Sequence, residues 1–593
     1  SGNRNIFMGK DAATSALVTG SYNVAFGSCA LKVITSGAVN VIMGRYAAGA
    51  LTTGTDNVIL GCFAARNSIS LCANIIMGPE TGACLCNGSH NIAMGQYAMR
   101  GSSTVSANTA AGNVALGQNA LAVISSGSNN VALGKEAGNA LTSGGNNVFL
   151  GLDAGKTVTT GAENIFLGCG AGGTGTMTAD HNIGLGVEAG RKITSGAQNV
   201  HIGYKPGAEL TTAQGTVFIG QETAEKRETG NHNIALGTQA LYGNATPANN
   251  TGTYNVAFGY YAGRCIDSGS SNVYIGKDAG ACATSGSFNI GIGIDALGDA
   301  VMTGSNNIAF GYATGEKVTS GSDNILIGKQ AGDALTTGSS VVAIGVAALG
   351  SEDTKSYAVA IGYHALKLQN GDWGNNVAIG KEAGATLTNA TENVFMGYEA
   401  AKGVTTGGAN VAIGALTLAA STTGSDNVVI GGDAGRNNTG SSNVIIGKAA
   451  GDASGDGTSN TFLGASAGGA VTNGDGNVFL GFNAGDAVTT GCYNVAIGKG
   501  VDVASATGNN QLAIGCNAVR WMTGDSSFNV CLADGAIKAL ATGTLCATSF
   551  YGSGANLTGI NAGFDPDSQE NLYAGTSAGA ASDSDTCFNI AFG

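Results

Sequence analysis

The stretch Asn130-Val131-Ala132-Leu133-Gly134 returns as Asn147-Val148-Phe149-Leu150-Gly151 and again as Asn164-Ile165-Phe166-Leu167-Gly168, 17 residues apart each time. The pattern can be followed from Asn5 to Asn529, about thirty times, and it reappears at Asn571 and Asn589. A fixed period of this size marks a stacked architecture in which each unit touches mainly its neighbours. It directs the reading toward a rod and away from a catalytic pocket.

With the repeat asparagine as position zero, a β-branched or aliphatic residue follows at +1 and Ile, Leu, Met or Phe stands at +3. This run reads as a short strand. Glycine at +4 (Gly9, Gly27, Gly44, Gly134, Gly151, Gly168, Gly276, Gly380) supplies a corner where the backbone needs positive φ or close approach, and Ala533 is the departure. Then come a polar pair, an Ala-Gly such as Ala137-Gly138, an aliphatic near +11, and a Thr/Ser-Gly turn whose Gly at +14 (Gly144, Gly161, Gly196, Gly286) makes a second corner. None of the four prolines (Pro79, Pro206, Pro247, Pro566) falls in a +1 to +3 run, where it would remove a ladder hydrogen bond. One repeat therefore reads as one coil of an all-β solenoid, or β-roll. At a strand spacing of roughly 4.8 Å, thirty coils give a rod on the order of 150 Å long.

Three positions carry the stacking. The asparagines Asn130, Asn147 and Asn164 are expected to form an amide ladder along the axis, with Gly134, Gly151 and Gly168 stacked at the corner. Position +2 is often Ala and sometimes bulky, as in Phe149, Phe166, Phe218, Tyr274, Phe395, Phe462 and Phe479. Since side chains alternate along a strand, +2 is expected on the side away from the coil's own core. A strand apolar on both faces is covered twice. The second cover is expected to be another copy of the chain, giving a homotrimeric fibre, intertwined or side by side.

Composition narrows the rest. Glycine (100 of 593 residues) lacks the every-third-residue period of collagen. Hydrophobic residues at 43% against 11% charged exclude a disordered chain. A net charge of −13 with no basic patch argues against nucleic acid. No apolar run is long enough to insert in a membrane. Ser1-Gly2 reads as the end of one repeat and Gly593 stops inside another, as expected of a segment of a longer protein. The organisation expected is a repeat shaft over 1–532, a non-repeat junction over 533–570, and the start of a second repeat block over 571–593. Coils of about 22 residues, Asn91 to Gly112 and Asn233 to Tyr254, should carry outward loops, and the coil holding Gly371-Asp372-Trp373-Gly374 a single insertion.

The residues that could carry chemistry are few. Cys265 and Cys282 occupy one repeat position on successive coils and form the candidate disulfide, with small apolar filling as the alternative use of cysteine. Acidic residues recur at +6. Glu136 and Asp153 are the candidate calcium ligands, although Lys often precedes them at +5, which favours a solvated mixed-charge face. His90, His181 and His232 each precede a repeat asparagine, where a trimer could gather three copies around a metal. Recurring Thr-Thr-Gly (Thr52-Thr53, Thr159-Thr160, Thr336-Thr337) raises an ice- or glycan-binding array. No nucleophile elbow, phosphate loop or Ser-His-Asp order is recognisable, so no enzyme activity and no cofactor are expected.

Two families share these residues. Asn376-Val-Ala-Ile-Gly380 through Ala383, and Asn494 to Gly498, resemble the head repeats of trimeric autotransporter adhesins, which form trimeric left-handed β-rolls with a shorter period. The segment Ser549-Phe550-Tyr551-Gly552-Ser553-Gly554, running on to Leu557-Thr558-Gly559-Ile560, resembles a segment common in tail fibres of tailed bacteriophages, where glycine-rich repeats also occur. The resemblances imply a trimer on a virion surface or otherwise outside the cell. In the phage reading it is a tail-fibre shaft, contacting a host receptor through parts beyond this segment. In the other it is a bacterial adhesin or extracellular filament.

Overall fold

A computed structural model describes residues 2–532, apart from 16, 103–107, 353, 355 and 371–373, together with short strands at 537–539, 545–547, 565–566, 572–574 and 590–592. Thirty strands, from β1 (Ile6–Met8) to β30 (Leu512–Cys516), pair in parallel, each with the next along the chain. Register follows the repeat, with Val131 opposite Val148 and Ala132 opposite Phe149. The chain is a β-solenoid of coils of about 17 residues, as the period required.

Position zero forms the expected ladder. The backbone N–H and the Nδ2 of Asn147 both donate to Oδ1 of Asn130 at 2.9 Å, and Asn164 donates to Asn147 in the same way. Each amide also donates to the +14 carbonyl of its own coil, Asn147 to Gly161 at 2.9 Å. These asparagines are fully buried. An unpaired amide in such a place costs about 1–3 kcal/mol, so the stack fixes the register of every coil it passes through.

The strand faces are the reverse of the expectation. Position +2 points into the coil: Ala132, Phe149, Phe166, Phe218, Tyr274, Phe395, Phe462 and Phe479 have no exposed surface. Positions +1 and +3 point outward. Two apolar faces give no polar contrast to set the parity, and a shift of one residue exchanges the faces of a strand. What fixes the parity is volume. Across the coil from +2 lies +8, and a large residue at either one meets Ala or Gly at the other, while coils such as Ala132 with Gly138 are small at both. Ala25, Ala115 and Ala412 at +2 accompany Leu31, Leu121 and Leu418 at +8, all buried. Where +2 is Phe149, Phe166 or Tyr274, position +8 is Gly155, Gly172 or Gly280, and a Cβ there would lie 2.4–2.6 Å from the ring. Rings on successive coils stack, Phe149 on Phe166 at 6.0 Å and Phe462 on Phe479 at 5.2 Å between centroids.

The corners need left-handed backbone. Gly134, Gly151 and Gly168 at +4 have φ of 142°, 131° and 134°, and a Cβ on Gly134 would sit 2.2 Å from the carbonyl oxygen of Gly151. The +14 glycines are required for closeness alone, a Cβ on Gly144 lying 2.0 Å from the oxygen of Gly161. The left-handed residue beside that turn is the one before the asparagine, such as Asn129 and Asn146 at φ 59°. Positions +6 and +8 are left-handed as well (Glu136 φ 60°, Leu121 φ 50°), and Val39 is the only β-branched residue with such a φ among the described residues.

The parallel stack stops in the coil begun by Gln511, one coil after +8 first leaves the left-handed region at Asp502. There position +8 is Val519, whose branched Cβ resists left-handed φ. The chain instead continues as β31 (Val519–Gly524), which folds back antiparallel on β30. β32 (Val530–Leu532), the copy of the repeat at Asn529, pairs antiparallel with β31. The parallel stack therefore ends near residue 516, inside the repeat span expected over 1–532. Most of the expected junction, 533–570, lies outside the described residues, as do Gly371, Asp372 and Trp373. Strands Leu572–Ala574 and Ile590–Phe592 pair in parallel, and the rest of 571–593 lies outside the described residues. The coil from Asn233 carries the expected loop, residues 103–107 of the other long coil lie outside the described residues, and a buried asparagine stands at the end of each insertion. Asn108 Nδ2 donates to the Cys84 carbonyl at 2.7 Å and Asn250 Nδ2 to that of Lys226 at 2.8 Å.

The size trade gives a double-mutant test. Phe149→Ala leaves a cavity and should cost about 3–5 kcal/mol. Gly155→Leu alone drives a side chain into the Phe149 ring. The double variant recreates the Ala115/Leu121 arrangement and should be more stable than either single variant in denaturant unfolding. A double variant as unstable as the sum of the two would contradict the trade.

Candidate functional site, the outward strand face

Every coil sends its +1 and +3 side chains outward, and in thirty strands only Thr461 interrupts the apolar series. These residues stay partly or largely exposed. Met43 at 42%, Leu150 at 41% and Phe310 at 54% mark how far they stand from the core. The +5 residues Leu152, Tyr204, Ile294, Tyr312, Tyr363, Tyr398 and Phe482 widen the exposed apolar surface in many coils. Two strand positions span about 7 Å and thirty coils roughly 140 Å, a footprint on the order of 1,000 Å². Monomeric surfaces rarely carry a continuous patch beyond about 300–600 Å². The geometry suits side-by-side packing against a straight apolar partner.

Charged columns lie beside this face. The Lys156 ammonium spans the two candidate calcium ligands, 2.6 Å from Glu136 and 3.4 Å from Asp153. The hydrogen bond with Lys156 holds the Glu136 carboxyl below its ordinary range and holds the ammonium above its own. Lys402 bridges Glu382 and Glu399 in the same way, at 2.6 and 3.3 Å. The structure thus brings Glu136 and Asp153 together, but around a cation the chain supplies three residues after Asp153. Among the described residues, no group of three or more His, Cys, Asp or Glu is placed to hold a metal ion.

The remaining candidates also find places. Cys265 and Cys282 stack at +10 of adjacent coils, with the Cys265 N–H donating to the Ala281 carbonyl at 3.0 Å, and both thiols are free. Burial pushes both thiols up. His90, His181 and His232 sit at the left-handed position before the asparagine. His181 pairs with Glu163 at 2.8 Å and His232 stacks on Tyr254 at 5.0 Å. The first threonine of two of the Thr-Thr pairs is tied to the next coil, the Thr52 hydroxyl donating to the Ile69 carbonyl at 3.2 Å and the Thr159 hydroxyl to that of Met177 at 3.1 Å. Those hydroxyls serve the rod rather than a ligand array.

Two features escaped the sequence reading. A serine ladder runs outside the asparagine ladder, each backbone N–H donating to the serine hydroxyl one coil on, Ser270 to Ser287 and Ser322 to Ser339 at 3.0 Å. Its signal is a serine recurring two residues before position zero, at 270, 287, 305, 322, 339 and 356. The second is His201, which takes the inward +2 position. It stacks on Phe218 at 5.0 Å, and its Nε2 lies 3.0 Å from Oγ1 of Thr216, which replaces a ladder asparagine.

With this geometry in hand, neither a scan of protein-family models nor a search of curated proteins finds a match to the chain. No helix among the described residues is long and apolar enough to cross a membrane.

His201 generates a pH test. Burial lowers its pKa to about 3, from an unfolded value near 6.5. Its neutral form therefore adds stability above about pH 6.5, and that stability is lost as pH falls toward 3, at up to about 1.4 kcal/mol per pH unit. Relative to the wild type, His201→Phe should gain stability progressively between pH 6.5 and 4 in parallel melts. A constant difference across that range would contradict the buried neutral imidazole.

Proposed function

We propose that this chain is the shaft of a homotrimeric extracellular fibre, a bacteriophage tail fibre that holds a receptor-binding tip away from the particle. The observation that carries the reading is the outward aliphatic face, continuous over thirty coils on a rod that already fills its own interior. A shaft of this kind acts mechanically. Internal ladders give each chain axial stiffness, and lateral burial of the +1 and +3 side chains joins the chains. Burial of about 1,000 Å² per chain exceeds the roughly 800 Å² per partner of a standard stable interface. The resemblance of the 549–560 segment to tail-fibre sequences supports the phage assignment.

The test separates assembly from folding. Leu150→Asp with Leu167→Asp changes two outward side chains and leaves the inward Phe149 and Phe166 in place. Light scattering after size exclusion should give three chains for the wild type and a smaller assembly for the variant, while far-UV circular dichroism keeps its β signal. A wild type that runs as one chain would end the reading.

A further inference from the structure

We infer that the shaft has a built-in soft joint at the coils begun by Val341 and Ala358, where it opens locally before any neighbouring coil. The asparagine ladder is continuous from Asn233 to Asn324 and resumes at Asn376. Between these runs, position zero is Val341 and then Ala358, neither of which has a side-chain donor or acceptor. The Val341 N–H still donates to Oδ1 of Asn324 at 3.0 Å, the last bond of the lower run. The two following coil interfaces, Val341 to Ala358 and Ala358 to Asn376, have no asparagine-to-asparagine ladder bond, where an intact interface has one or two. Asn376 turns its amide toward Oε1 of Gln369 instead, at 3.4 Å.

The cores of the same two coils are altered as well. Position +11, a buried leucine in the flanking coils at Leu335 and Leu387, is Glu352 in one and Gln369 in the other, both buried. Polar side chains there give up apolar packing in the coils that have already lost their ladder. In a stack of repeats, stability is set by each unit and its interfaces with its neighbours. Two weakened interfaces in succession make the place of lowest local stability.

The chain contains its own control. The ladder is also broken at Thr216, and that coil too has a polar residue at +11, Arg227. Arg227 is fully buried and reaches across the next coil, its Nη2 donating to the Gly252 carbonyl at 2.6 Å and its Nη1 to that of Ile266 at 3.0 Å. The guanidinium straps three coils where the amides are missing, and Thr216 keeps its bonds to Asn199 Oδ1 through its N–H and hydroxyl. One break is therefore bolted by an arginine, and the other has Glu352 and Gln369 in that place.

Hydrogen exchange read by mass spectrometry on the full chain in its assembled form tests this, whatever the fibre's biological role. Amides of Val342–Ile344 and Val359–Ile361 should exchange about tenfold or more faster than those of Ile308–Phe310 and Val394–Met396. Amides of Val217–Ile219 should exchange at the slow rate of the flanking coils. Ala358→Asn should slow exchange at the joint, and Arg227→Met should create a second fast site near 217–236. Equal exchange in wild-type coils at 341–361 and their neighbours overturns the joint without bearing on trimer assembly. A folded Ala358→Asn variant with no added protection overturns its attribution to the missing amides.

Discussion

Each buried asparagine carries two amide protons and an oxygen that no water reaches, and its partners are the asparagines of the adjacent coils and the +14 carbonyl of its own coil. This constraint orders the molecule. It holds successive coils one strand spacing apart, forces the +4 and +14 corners so close that a methyl group on Gly134 or Gly144 would strike the next backbone, and lets the interior stay small. An insertion must leave the coil between two ladder positions, and in both long coils a buried asparagine, Asn108 or Asn250, stands at its end. The outer serine ladder repeats the principle at the surface, where water could replace it at little cost.

Much of this was legible in the sequence because stacking imposes its period on every position. The strand at +1 to +3, the left-handed glycine at +4 and the asparagine ladder all follow from residues recurring at one spacing. The inward face did not follow. Val131 and Leu133 look as suited to a core as Ala132, and apolar residues on both sides remove the contrast that normally sets parity. The deciding clue lay six residues away. Ala115 faces Leu121 and Phe149 faces Gly155, and no coil among the described residues puts a large residue at both positions, as two sites facing each other inside one coil require. The end of the stack is marked by Asp502 and Val519, the two successive +8 residues that leave the left-handed region.

The candidate site was legible as chemistry more than as geometry. Glu136 and Asp153 are neighbours, as their shared position implies, and Lys156 supplies their counter-charge. An i,i+3 acid–lysine spacing is a helix habit. Here it works because a tight turn carries the chain from +6 to +9 on one side of the coil. Electrostatics on these columns is exposed and weakly stabilising. The large unsatisfied feature is apolar: the +1 and +3 stripe faces solvent in a single chain, and its removal from water is the driving force for the association proposed above.

The most direct measurement of the account is the mass per unit length of the assembled shaft by scanning transmission electron microscopy. With 58.1 kDa over 593 residues, a 17-residue coil weighs about 1.7 kDa, so at roughly 4.8 Å per coil one chain carries about 0.35 kDa per Å and three carry about 1.0 kDa per Å. The account predicts rods at the threefold value. Rods at the single-chain value would show that the apolar face stays open to water, and compact particles with no constant linear density would contradict the coil itself.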